Sequence, residues 1–172
     1  NLYPKLDKMT KGDLLIGLPS SGFHSNGFSL INKVLETKNI NLSSVESSLD
    51  KNKTIGELLI TPTKIYVNDV IPLITDDNVV KKSLRSMAHI TGGGLYDNIM
   101  RVVKQGYDIN INYQSLKIQE IFKYIQRIGN IDFHEMKKVY NLGVGFVLIV
   151  DKNSAEHYLS KLKDSYIIGE VV

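Results

Sequence analysis

Apolar and polar positions change period several times along this chain, and each change marks an element. Asp13 to Leu18 is a short apolar run that predicts a buried strand. Phe28, Leu30, Ile31, Val34 and Leu35 fall on one face of a helix over 28–37, with Asn26 or Ser25 as its cap. Residues 38–53, rich in Asn, Ser and Lys, read as an irregular insert. Thr54 to Ile60 and Tyr66 to Ile74 read as helical pieces, the second limited by Pro72. Lys81 to Thr91 reads as a strand running straight into Gly92-Gly93-Gly94, and Leu95 to Val103 as the helix that follows. Tyr107 to Asn112 alternates as a half-exposed strand does. The clearest helix spans Lys117 to Ile128, with Ile118, Ile121, Phe122, Ile125 and Ile128 in one stripe. A helix after Asp132, a strand at Phe146 to Val150, a helix at Asn153 to Leu162 and a strand from Tyr166 complete the pattern. Strands and helices alternate throughout, which predicts an α/β (α+β) protein: one mixed β-sheet layered with helices.

The 172 residues fit one domain, 1–172, with no internal repeat and no linker. The opening, Asn1-Leu2-Tyr3-Pro4-Lys5, has neither an initiator Met nor a signal-peptide pattern and reads as a cut. No apolar run approaches the ~20 residues a membrane span needs. Cysteine is absent, which excludes disulfides, thiolate metal sites and a Cys nucleophile, and fits a reducing, cytoplasmic compartment. A net charge of +3, spread along the chain and carried almost wholly by Lys, is too weak to argue for nucleic acid.

The candidate chemistry lies in two places built alike. In each, a strand enters a glycine-rich loop that opens a helix, at 13–37 and at 86–103. Helix starts leave N–H groups unpaired and partly positive, and glycine lets a ligand approach the backbone, so anions bind there readily. If the two strands are parallel neighbours, both loops open on one edge of the sheet. Neither loop is a Walker sequence, and no Gly-x-Gly-x-x-Gly follows the first strand, so a dinucleotide site has no support. Gly143-Val144-Gly145 precedes a strand and reads as a turn admitting close packing. Among the histidines, His24 and His89 adjoin the two loops. His157 reads as a solvated helix residue, and His134 beside Glu135 lacks a metal-ligand spacing. Asp76-Asp77 reads as a solvated loop.

Taken together the loops resemble a known family. Gly12-Asp13-Leu14-Leu15-Ile16-Gly17-Leu18-Pro19-Ser20-Ser21-Gly22-Phe23-His24-Ser25-Asn26-Gly27 is similar to the opening of the C-terminal domain of the aminoimidazole ribonucleotide synthetases. In the same order follow Thr61-Pro62-Thr63-Lys64-Ile65-Tyr66-Val67, His89-Ile90-Thr91-Gly92-Gly93-Gly94-Leu95, and His134-Glu135-Met136 with Tyr140-Asn141-Leu142-Gly143-Val144-Gly145. The departures are Phe28 for a common Tyr, Asn32 and Lys64 for common Arg, and Met100 for a frequent Pro. Losing Arg at 32 puts an Arg–anion contact there in doubt.

The resemblance implies the C-terminal half of an ATP-dependent cyclo-ligase of purine biosynthesis. Its substrate is a small-molecule ribonucleotide, and the family's N-terminal domain, with most of the ATP and Mg2+ binding and most of a homodimer contact, is absent here. It implies His24 and Asn26 as groups meeting the reacting end. Ser20, Ser21, Gly22, Ser25 and Gly27, with His89, Thr91, Gly92, Gly93, Gly94 and Asn141, hold the substrate and its phosphates. No residue of this chain is assigned to a metal. The alternatives are a relative of the same superfamily, such as formylglycinamidine ribonucleotide synthetase, selenophosphate synthetase or a hydrogenase maturation protein, or a non-catalytic phosphate-binding module.

Overall fold

The computed structural model describes residues 3–172, so the opening Asn1 and Leu2, part of the start read as a cut, lie outside the described residues. Five strands form one sheet: β1 (Leu14–Pro19), β2 (Leu84–His89), β3 (Ile109–Ile111), β4 (Val144–Val150) and β5 (Tyr166–Val171). Their order is β2-β4-β1-β5-β3, and all four pairings are antiparallel. The expected single sheet with helices is present, but its pairings are not mixed in direction. β1 and β2 do run the same way, yet β4 lies between them, so they are not neighbours.

β4, Val-Gly-Phe-Val-Leu-Ile-Val, faces apolar layers on both sides, which is why its sequence is a continuous apolar run rather than an alternation. Val147 and Ile149 join Leu15 and Ala88 in the larger core. That core is closed by α1 (Phe28–Thr37), α2 (Ile55–Leu59), α5 (Gly94–Met100), α6 (Glu120–Gly129) and α7 (Phe133–Val139). Leu148 and Val150 join Ile16 and Leu18 in a second core under α3 (Val67–Asp76), α4 (Asn78–Ser83) and α8 (Ala155–Lys161).

Several local expectations are corrected. The residue preceding α1 is Gly27 in a left-handed conformation, with no side-chain cap from Asn26 or Ser25. Pro72 does not limit α3, which runs on to Asp76: Pro72 and Asn68, whose carbonyl loses its helical partner, are both exposed, so water can take that carbonyl. The stretch read as a strand from Lys81 begins as helix α4. Asp77 is not a solvated loop residue: its carboxylate accepts the N–H groups of Val79 and Val80 and starts that helix. Its other oxygen lies 2.6 Å from Nε2 of His157, which is half-buried between α8 and α4 rather than solvated. Residues 38–53 are turns tied to the start of α2 by the bridge of Val45 with Thr54 and by the Ile55 and Gly56 N–H groups, which donate to the Ser44 and Leu42 carbonyls.

Strand directions place three loops at one end of the sheet. β1 and β2 finish there and β4 begins there, with Pro19 opposite Val144 and His89 opposite Phe146. At the other end Arg85, buried, is 3.1 Å from Asp13 and 2.7 Å from Asp151. That guanidinium ties β2 to the entrance of β1 and the exit of β4.

Candidate functional site

The first loop, Ser20 to Gly27, turns sharply because His24 (φ 52°), Ser25 (φ 61°) and Gly27 (φ 74°) are all left-handed. Two of these are not glycine, and each costs roughly 1–2 kcal/mol unless local bonds hold it. The bonds are present. Asn26 Nδ2 donates to the His24 carbonyl at 2.8 Å. Buried Asn141 donates to the Gly22 carbonyl at 2.8 Å and accepts from Ser20 Oγ at 3.0 Å and Gly143 N–H at 2.9 Å. Gln119 donates to the Ser20 carbonyl at 2.6 Å. The side chains of Ser20 and Asn141 are therefore turned inward onto the loop they shape. Ser25 is exposed and Asn26 half-buried. Past them, the N–H groups of Gly27, Phe28 and Ser29 have no partner among the described residues.

The second loop, Ile90 to Gly94, is organised by Asn98, which lies outside the candidate residues of the glycine-rich loops. Asn98 is buried in α5, and its Nδ2 faces the carbonyls of Thr91 (3.3 Å), Gly92 (3.2 Å) and Gly94 (2.7 Å). Its Oδ1 accepts from Thr91 Oγ1 and from Arg101. With three carbonyls gathered onto one carboxamide and the Ile90 N–H given to the Gly145 carbonyl at 3.0 Å, the N–H groups of Thr91 to Gly94 have no partner among the described residues. Gly93 has φ +100°, and a Cβ there would lie 3.6 Å from Asp97. The signal for Asn98 was present: a polar residue, weak in helices, sits on the inward stripe between Leu95 and Ile99.

The two loops adjoin. A Cβ on Gly92 would come within 3.5 Å of Asn26 Oδ1. His89 stands exposed at the end of β2 and packs edge-on to Tyr66, with ring centroids 6.2 Å apart. Tyr66 also meets His24 at 6.2 Å, and its hydroxyl donates to the Pro19 carbonyl at 2.8 Å. An apolar groove of about 420 Å3 opens beside these residues, lined among others by Lys64, Tyr66, Val70, Met87, His89 and Phe146.

His24 lies below this surface, 3% exposed, and does not face the cleft as its loop position suggests. Burial first, and then the nearby His89 and Lys64 charges, pull its pKa from 6.5 down to about 4. Burial likewise pushes the Tyr66 phenol up, so it stays protonated.

The donor set of the two loops suits an anion: free N–H groups, hydroxyls and an exposed imidazole, with one carboxylate, Asp97, at the rim. It does not suit Mg2+, which asks for oxygen ligands. Among the described residues no three His, Asp or Glu side chains converge as a cation site would require, and no helix is long and apolar enough to cross a membrane.

An antiparallel sheet layered on both faces, with two glycine-rich helix starts meeting at one end, defines the class. The hydrogenase maturation protein HypE of E. coli shares this fold, with a TM-score of 0.59 at 18% identity over 99% of this chain and 47% of that one. The chain belongs to the family described as AIR synthase related protein, C-terminal domain, which it matches over residues 10–172. It is 43% identical over 169 residues to a phosphoribosylformylglycinamidine cyclo-ligase of Pseudothermotoga lettingae, covering 96% of this chain and 48% of that protein. It is 36% identical to the trifunctional purine biosynthetic protein adenosine-3 of Homo sapiens, over 98% of this chain and 17% of that protein. The chain thus spans about half the length of its cyclo-ligase relatives.

Proposed function

We propose that this chain is the substrate- and phosphate-holding half of a phosphoribosylformylglycinamidine cyclo-ligase. The observation that carries the reading is the meeting of the two helix starts, Asn26 against Gly92, in a chain whose bacterial relative of that name is 43% identical. In the reaction, the γ-phosphoryl group of ATP passes to the formamide oxygen of formylglycinamidine ribonucleotide, releasing ADP. An amidine nitrogen then attacks the activated carbon. The imidazole ring closes, phosphate leaves with the former formamide oxygen, and a proton is lost from nitrogen.

Such chemistry needs charge stabilisation, alignment and exclusion of water. In this reading the free N–H groups of Gly27, Phe28 and Ser29 and those of the Gly92–Gly94 loop receive phosphate oxygens. Ser25, Asn26, Thr91 and His89 orient the substrate from the same rim. Ser20, Gly22 and Asn141 keep the first loop in shape. Mg2+ and the rest of the ATP belong to the other half of the full-length enzyme, a cytoplasmic homodimer.

The test is release of ADP from ATP with formylglycinamidine ribonucleotide, measured for the full-length protein and for this domain alone. Substrate-dependent ADP release by the full-length protein, and none by the domain, is expected. Turnover by the isolated domain would sink the division of labour, and an inactive full-length protein would sink the activity itself.

A further inference from the structure

Resting on that reading, we propose that His24 is a positioning residue of this site rather than its proton carrier: the neutral ring, protonated on Nδ1, pins the Ser20–Gly27 loop to the Thr61–Tyr66 segment through Nε2. The tautomer follows from the donors. Nε2 accepts the backbone N–H of Ser21, three residues back, at 2.9 Å and that of Lys64, 40 residues on, at 3.2 Å. A nitrogen receiving two N–H groups cannot carry its own hydrogen, so the ring proton sits on Nδ1. Ser21 Oγ lies 2.9 Å from Nε2 and 2.6 Å from the Pro62 carbonyl, so with Nε2 bare its one hydrogen is shared between these two acceptors.

A proton carrier must present a nitrogen to its substrate. Nε2 is already occupied by two backbone donors. Nδ1 is buried and is the one buried side-chain polar atom without a partner among the described residues. It is also hemmed in: a Cβ on Gly145 would fall 2.9 Å from Nδ1, 2.5 Å from Cε1 and against the Tyr66 hydroxyl. A second ring proton would point at the very N–H groups that Nε2 accepts. The groups facing the ring are Tyr66, His89 and Lys64 with the Gly145 backbone, none of which favours an imidazolium.

The pin has a purpose in the site. It joins the anion loop to the segment carrying Lys64 and Tyr66, alongside the Ser21–Pro62 and Tyr66–Pro19 bonds. It also holds His24 left-handed, so that the chain emerges with Asn26 beside Gly92. Proton transfer is thereby left to groups on the rim or to the substrate.

The experiment compares His24→Ala, His24→Asn and His24→Gln in the full-length protein. Gln sets its oxygen where Nε2 lies but cannot titrate, whereas Asn sets its oxygen nearer the Nδ1 position. Expected results are an early melt and a KM raised about tenfold or more for Ala and Asn, with Gln recovering most of both. The acid limb of the kcat–pH profile stays put in the Gln variant. A Gln variant that melts normally yet, together with Ala, loses kcat about a hundredfold would make His24 the proton carrier and overturn the proposal. Long-range 1H–15N correlation of the histidine rings in wild type adds a readout independent of turnover. A neutral Nδ1–H ring persisting down to about pH 5 is expected, and an Nε2–H ring, or one titrating near its ordinary value, overturns the assignment. If the wild-type protein lacks cyclo-ligase activity the functional reading fails, while the spectra and melts still decide the role of the ring.

Discussion

Asn98 does for one loop what His24 does for the other. Each is a buried polar side chain that satisfies backbone groups from more than one residue, and each leaves the outward-facing N–H groups of its loop unspent. The cost of such a group becomes visible when its charge is forced to change. In the folded protein His24 takes a proton only near pH 4, against 6.5 ordinarily. Between those values the unfolded chain binds a proton that the folded chain refuses. The contribution of this residue to stability is therefore whole above about pH 6.5 and is lost as pH falls toward 4, by up to ~3 kcal/mol. Carboxylates held low by their partners, such as Asp77 and Asp151, add their own loss only below the ordinary 3.8. Urea unfolding at pH 7, 5.5 and 4.5 should show the first decline, and His24→Gln should flatten it. A slope unchanged in that variant would assign the decline to other groups.

At the level of elements, the short helix α5 and the loop that starts it behave as one unit. Gly93 opens the helix at φ +100°, yet space for a side chain exists, since a Cβ would make ordinary contact with Asp97 at 3.6 Å. Gly93→Val is therefore resisted by the backbone rather than by crowding. It should cost roughly 1–3 kcal/mol in urea unfolding and weaken substrate binding by about tenfold or more as the loop N–H groups turn away. Isothermal titration beside urea unfolding separates the two effects, and unchanged affinity would move the phosphate site elsewhere. Most elements were legible because their apolar period is local: α1, the stripe of α6 and the run of β4 are written in neighbouring residues. What escaped was decided by partners far along the chain. Asp77 looks like a loop carboxylate until His157, 80 residues on, is set beside it, and His24 looks exposed until the Lys64 backbone arrives.

For the molecule as a whole, the sheet divides its work between its ends. One end is tied by Arg85 between two carboxylates, and the other collects the glycine-rich loops. That both loops share an edge could be anticipated from two strand–loop–helix units in one α/β layer. The strand between them could not, because strand order is set by contacts more than 50 residues apart in the chain, such as Met87 with Leu148. The central place of β4 has a consequence for handling the protein. Its seven residues carry high β-propensity, no charge and no Pro, the composition that seeds cross-β association when exposed. In the native sheet β1 and β2 occupy both of its edges and helices lie over both of its faces. Heat removes all four covers together. Thermal denaturation of this domain should accordingly be irreversible, with precipitation and an apparent Tm that rises with scan rate. A transition that repeats on a second heating would show that the released strand is protected in the unfolded chain as well.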